Sequence, residues 1–131
     1  MTIEEAKKKI AKANKGKADI SEHNLQMKCV RYFRLKYKKY LIYAIPNGGY
    51  RTRTTAKKLV LEGVVSGVPD LFVAVARHNY HGLYIEMKNG KAGKVSKEQK
   101  EIMAYLESEG YKVALCRNLD EFMKEVDEYF S

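Results

Sequence analysis

Asp70, Glu86 and Lys88 are the residues of this chain whose types and spacing could do chemistry. The stretch GLYIEMKNG, residues 82–90, has the make-up of a buried strand, yet it carries a glutamate and a lysine two positions apart. Successive strand residues face opposite sides, so Glu86 and Lys88 share one face and Met87 takes the other. Ionised groups on an otherwise apolar strand are costly unless something pairs with them. Upstream, SGVPD presents Asp70 from a stiff segment, because Pro69 fixes its own φ and pushes Val68 to an extended shape. A hairpin between the two stretches folds Asp70 back toward Glu86 and Lys88, with its register left open. Two converging carboxylates repel each other, and a divalent cation removes that repulsion. Mg²⁺ suits a site with few carboxylates, several waters and a phosphate. Such an ion polarises a phosphoryl oxygen and lowers the pKa of bound water, and a lysine beside it can orient or deprotonate that water. The charged strand face thus reads as a metal and phosphate site; the plainer alternative is a cross-strand ion pair on a solvated face.

Other stretches carry weaker signals. RYFRLKYKKY, residues 31–40, interleaves basic and aromatic side chains. Arg31, Arg34 and Lys38 could neutralise phosphates while the tyrosines stack on unpaired bases, or the tyrosines could simply pack inward from an amphipathic helix. PNGGYRTR, residues 46–53, could bring backbone N–H groups and Arg51 or Arg53 to a phosphate, since glycine permits close approach, or be a plain turn. NGKAGK, residues 89–94, lacks P-loop spacing and reads as a mobile lysine loop, with Lys91 and Lys94 placed to touch DNA. HNYH, residues 78–81, invites a zinc reading, but two histidines in a hairpin turn are ordinarily just exposed.

Charge narrows the partner class. The formal net charge is +9, and it is unevenly placed. Residues 1–65 hold 16 Lys/Arg and 5 Asp/Glu, for +11; residues 66–131 hold 9 and 11, for −2. A basic N-terminal half points to a polyanion such as DNA. A membrane surface would also attract that charge, but no strongly apolar helix face accompanies it, and no apolar run approaches the roughly 20 residues of a membrane span. The first 17 residues show no apolar signal core, and the two lone cysteines, Cys29 and Cys116, read as buried thiols rather than a disulfide framework or zinc site. These features point to a cytoplasmic protein.

The elements that must position Asp70, Glu86 and Lys88 follow from periodicity. Residues 2–14 read as a lysine-rich helix, broken by NKGKAD. A second helix runs from an N-cap at Ser21 to near Tyr37, with Leu25, Cys29 and Phe33 on one stripe and Glu22, Gln26 and Val30 beside it. YLIYAI (40–45) reads as a buried strand ended by the PNGG turn, and TTAKKLVLEG as a short helix stopped at Gly63. DLFVAVA (70–76) and LYIEMK form a hairpin across RHNYHG. Ser96 with Gln99 matches a capping box and opens a helix to near Glu109; YKVALC is a further strand; Asn118 caps a final helix. The order α-α-β-(α)-β-β-α-β-α describes an α/β or α+β sandwich with a sheet of about four strands. At 131 residues this is one domain, with residues 1–20 as a basic extension.

The pattern D…E-x-K with a proline before the aspartate resembles the PD-(D/E)xK nuclease superfamily. The ordered set SEHNLQ, AIPNGGYR, KLVLEGVVSGVPDLF, GLYIEMK and KVSKEQKEIMAYLESEGYKVALCR resembles its VRR-NUC (virus-type replication-repair nuclease) family across roughly residues 21–117. The resemblance implies a restriction-endonuclease-like core, a mixed sheet flanked by helices, and a phosphodiesterase dependent on Mg²⁺ or Mn²⁺. It makes Asp70 and Glu86 metal ligands, with the Met87 backbone carbonyl a candidate third, and Lys88 the catalytic lysine. Glu22 matches the helical acidic position, reaching the metal through water; its alternative is a first-turn acid. Gln99 matches the glutamine after the E-x-K strand, with a pure capping role as its alternative. In related nucleases a tyrosine often follows that glutamine by four residues; here Met103 stands there, so Tyr105 receives no catalytic role. Small stand-alone members resemble Holliday junction resolvases and are typically encoded by phages. Cutting two opposed strands requires two sites, hence a homodimer. The alternatives are a flap or nicking nuclease, a non-catalytic nucleic-acid-binding module, and a toxin or restriction-like nuclease.

Overall fold

The fold is described by a computed structural model over residues 2–46, 53–91 and 93–131, with side chains described outside 7–20 and 53–54. Helix α1 spans Ile3–Lys36. Thr2 caps it reciprocally: its hydroxyl accepts the Glu5 N–H and the Glu5 carboxylate accepts the Thr2 N–H. The expected break at NKGKAD does not occur, and Ser21 lies inside the helix rather than capping a second one. A single internal glycine costs only ~1 kcal/mol, and the alanines and lysines around Gly16 are strong helix formers. Breaking the helix would instead strand backbone N–H and C=O groups at two new ends.

Strand β1 (Ile42–Ala44) follows, then helix α2 (Arg53–Leu61), strand β2 (Leu71–Val73) and strand β3 (Leu83–Met87). Gly63 ends α2 at φ 107°, a conformation that suits glycine. Helix α3 (Lys97–Ser108), strand β4 (Lys112–Cys116) and helix α4 (Leu119–Phe130) complete the chain. The capping box Ser96/Gln99 and the Asn118 cap both form as expected. The sheet runs β1-β2-β3-β4, antiparallel across the first two pairings and parallel between β3 and β4. A parallel pair needs a crossover, and α3 provides it. The β2–β3 hairpin turns back through His78 and Asn79, both at positive φ, between bridged Arg77 and Tyr80.

One sheet face forms the core. Ile42, Leu71, Val73, Leu83, Ile85, Met87 and Cys116 are buried there with Cys29 and Phe33 of α1 and Phe122, Val126 and Tyr129 of α4. The Leu25–Cys29–Phe33 stripe therefore faces the sheet, as its spacing requires. At the α1–α4 seam, the Tyr32 and Tyr37 hydroxyls both donate to Asp127, and Lys36 pairs with the same carboxylate at 3.1 Å. Tyr37 also stacks on Phe130 at 4.2 Å between ring centroids. These tyrosines build the fold and are not displayed for stacking on bases. β1 departs from the expected buried strand: only Ile42 of its three residues is buried, because Tyr43 faces the other side of this edge strand and Ala44, on the Ile42 side, borders an open groove beside α1. The opposite sheet face carries Tyr43, Phe72 and Tyr84 in register, and beyond them Asp70 and Glu86. No helix among the described residues is long and apolar enough to cross a membrane.

Candidate active site

The hairpin register aligns the two carboxylates. Leu71 pairs with Ile85, so the next step along each strand places Asp70 opposite Glu86. Asp70 is held at both ends. Its backbone carbonyl accepts the Ile45 N–H at 2.8 Å, and its side-chain Oδ2 accepts the Met87 N–H at 2.7 Å. The Met87 side chain is buried in the core face, as strand alternation dictates.

Glu86 is only 1% exposed. Its Oε1 accepts a 2.9 Å hydrogen bond from Gln99 Nε2, and Lys88 Nζ lies 3.7 Å from the same oxygen. Among the described residues its buried Oε2 has no hydrogen-bond partner in the unprotonated geometry. Burial and the nearby Asp70 charge push the Glu86 carboxyl up to about 8, and Lys88 only partly opposes them. Protonated, Glu86 can share its proton with Asp70; ionised, its Oε2 is left wanting a positive partner.

Gln99 satisfies both of its expected roles with the two ends of one amide. Its Oε1 accepts the Ser96 N–H in the capping box, and its Nε2 holds Glu86. The cap thereby fixes the amide that fixes the carboxylate. Lys88 is positioned by the following loop. Gly93 lies against its aliphatic stem, so closely that a Cβ there would meet Lys88 Cβ at 3.1 Å and Cδ at 3.3 Å. Arg117 clamps that loop, its Nη1 donating to the Gly90 carbonyl at 2.8 Å and the Gly93 carbonyl at 2.6 Å. The NGKAGK stretch is thus tied down at both glycines.

Glu22, Asp70, Glu86, Lys88 and Gln99 line one polar cavity of about 230 Å³, together with Ser66 and Gly67. All five residues singled out for catalysis from the sequence meet there. Three contributors were missed. Gly67 (φ 93°) packs on the first turn of α3, where a Cβ would sit 3.2 Å from the Glu98 carbonyl carbon. Ser66 belongs to the same turn, and Arg117 acts from the end of β4. The glycine of SGVPD was the one available signal; nothing local marks Arg117.

A divalent cation fits this donor set: two carboxylates meet across a strand pair, one with an orphaned buried oxygen and a proton it sheds only reluctantly. Among the described residues no three His, Cys, Asp or Glu side chains gather as a metal-binding group. Glu22 therefore lines the wall without completing a three-carboxylate cage, and the hairpin histidines form no zinc site. So few protein ligands would leave places on such an ion for waters and a phosphate.

Of the basic residues, Lys91 and Lys94 are exposed on the loop beside Lys88. Arg31 and Arg34 are exposed on α1 and line a different groove, while Lys38 is exposed just past the helix end. Arg51 lies outside the described residues; Arg53 opens α2, and its side chain lies outside the description.

Residues 20–119 match the VRR-NUC domain, which is most of the chain. The chain belongs to the VRR-NUC family. A solved structure of a VRR-NUC domain protein superposes with a TM-score of 0.72 at 27% sequence identity, covering 84% of this chain and 88% of that one. No curated protein matches the sequence. The mixed four-stranded sheet with flanking helices is the VRR-NUC fold expected from the sequence, and membership makes this a nuclease-superfamily domain with DNA as its implied substrate class.

Proposed function

We propose that this VRR-NUC chain is a metal-dependent DNA endonuclease that hydrolyses phosphodiester bonds in branched DNA, such as Holliday junctions. The observation that carries the reading is the buried Glu86 carboxylate, facing Asp70 with one oxygen unpartnered, beside Lys88 and Gln99. Asp70 and Glu86 would hold Mg²⁺ or Mn²⁺, with the Met87 carbonyl as a further donor and Glu22 reached through water. The bound ion would supply Lewis-acid polarisation of the phosphate and a more acidic water.

The chain's own residues do the rest. Gln99 keeps the Glu86 carboxylate in one orientation, and Asp70 is fixed by the Met87 amide. Lys88, braced by Gly93, directs its ammonium into the cavity, where it can orient the attacking water and offset charge on the phosphorane. Lys91, Lys94, Arg31, Arg34, Lys38, Arg51 and Arg53 would contact the DNA backbone. Paired cuts across a junction call for a two-fold dimer, because one chain carries one such site. A phage or bacterial DNA substrate places the activity in the host cytoplasm.

The test is a cleavage panel of labelled four-way junction, flap, splayed arm, linear duplex and single strand, with Mg²⁺, Mn²⁺ or EDTA. Metal-dependent paired cuts confined to the junction are expected. Cuts confined to flaps would replace the junction reading with a flap nuclease. Binding with no cutting of any substrate would replace it with a binding module.

A further inference from the structure

A second cavity, of about 510 Å³, opens between α1 and the edge strand β1, and no catalytic role accounts for it. Its size falls in the range of small-molecule pockets, roughly 300–1,000 Å³. Met27, Val30 and Tyr43 give it apolar walls, and Arg31 and Arg34 stand at its rim; no acidic side chain among the described residues lines it. Met27 is 57% and Tyr43 44% exposed, both high for large apolar side chains lining a groove. The Tyr43 ring is braced edge-on by Phe72 (centroids 5.7 Å, 72°), and Phe72 is braced in turn by Tyr84 at 4.4 Å. Such a ring offers stacking area without having to be ordered first.

The groove lies next to the catalytic cavity along α1 and β1. Glu22 lines the catalytic cavity, and Gln26, one helical turn further along α1, lines the groove. On the other wall Ala44 lines the groove, and the next residue, Ile45, bonds the Asp70 carbonyl. A strand leaving the catalytic cavity past Glu22 and Asp70 thus meets an apolar slot with an aromatic ring and two guanidinium groups. That combination recognises an unpaired nucleotide: the base against Tyr43 and Met27, the phosphates against Arg31 and Arg34.

We propose that the α1–β1 groove is a subsite for one unpaired nucleotide of the DNA, flanking the phosphate held in the catalytic cavity. Its placement relative to the cut rests on the nuclease reading; its binding of a base does not. The subsite gives the site a physical reason to prefer a branch point over linear duplex: a base in a duplex interior must leave its stack to enter the slot, whereas one at a branch point is unpaired or sits where stacking is interrupted.

The test measures binding of fluorescein-labelled splayed-arm DNA in EDTA, where metal-dependent cutting cannot interfere, with a single abasic residue walked along one arm. The full chain is compared with Tyr43→Ala, Tyr43→Phe and Met27→Glu, each checked for a native circular dichroism spectrum. In wild type, affinity should drop about five- to a hundred-fold when the abasic residue occupies one particular position, and change little elsewhere. Tyr43→Ala and Met27→Glu should bind intact DNA that much more weakly and lose the positional dip, while Tyr43→Phe keeps it. A flat wild-type profile would overturn the proposal even if no variant folds. So would a dip of wild-type depth in both Tyr43→Ala and Met27→Glu. Loss of self-association in these variants with the dip intact would assign the groove to a second copy of the chain instead. Binding with the dip, but no cleavage in Mg²⁺, supports the subsite and sinks only the nuclease reading.

Discussion

Replacing Glu86 with glutamine should stabilise the metal-free protein at alkaline pH and do little near pH 5. The side chain keeps its shape and can still accept the Gln99 hydrogen bond, but it no longer has a charge to bury. In the folded wild type the carboxyl holds its proton up to about pH 8, against an ordinary value of 4.5 in the unfolded chain. Between those values the folded state binds the proton and the unfolded state does not. Wild-type stability therefore falls as pH rises through that window, and the loss is complete above it. A shift of that size in an isolated group would correspond to ~5 kcal/mol. Part of the shift comes from the Asp70 charge beside it, so about 2–4 kcal/mol is expected. Glu86→Gln should then melt roughly 5–15 °C higher than wild type at pH 9, with the gap closing toward pH 5. The assay is thermal unfolding of both proteins in EDTA across pH 5–9. A gap that is flat with pH, or that widens toward acid, would refute the reasoning. Mg²⁺ should raise the wild-type melting temperature at pH 8 and leave that of Glu86→Gln much less affected, because only the carboxylate offers the ion a charge.

Arg117→Ala should cost about 1–3 kcal/mol in denaturant unfolding by releasing the Gly90 and Gly93 carbonyls. It should also slow cleavage at least tenfold while leaving DNA affinity in EDTA near wild type; unchanged cleavage would show that the loop does not position Lys88. Asp127→Asn should cost about 1–2 kcal/mol at pH 7, allowing for its partial exposure. Burial alone would raise the Asp127 carboxyl, but hydrogen bonds from Tyr37, Tyr32 and Lys36 outweigh it and hold it below its usual value. That stabilisation is present at neutral pH and lost as acid protonates the folded carboxylate, so the wild-type and mutant unfolding curves should converge below about pH 4. Burial pushes the Cys29 and Cys116 thiols up to about 12. Neither should react with a thiol reagent in the native protein at pH 8, and both should react in urea; one fast native equivalent would contradict their burial.

Strand periodicity alone put Glu86 and Lys88 on one face, and the hairpin carried Asp70 to them, because two-residue alternation and a tight turn are local rules. The register was not local. It depends on the His78–Asn79 turn and on side chains packing across three strands. The missing break in α1 is propensity misread in the other direction: NKGKAD holds a single glycine, whose cost is smaller than that of two new helix ends. β1 looked buried because YLIYAI is uniformly apolar, whereas its place at the sheet edge is a property of strand order. Gln99 was legible both as a cap and as a site residue, and the structure needs both readings. Arg117 was illegible because it acts on carbonyls 24 and 27 residues away in sequence.

The most direct measurement is single-turnover cleavage of a labelled four-way junction by wild type, Asp70→Asn and Lys88→Ala in Mg²⁺, with junction affinity measured in parallel in EDTA. If the Asp70–Glu86–Lys88 cavity carries the chemistry, each variant should cut at least ~10³-fold more slowly, comparable to the loss of a group that stabilises the transition state, while binding the junction about as tightly as wild type. Cleavage by Asp70→Asn at the wild-type rate, or wild-type cutting that persists undiminished in EDTA, would contradict it.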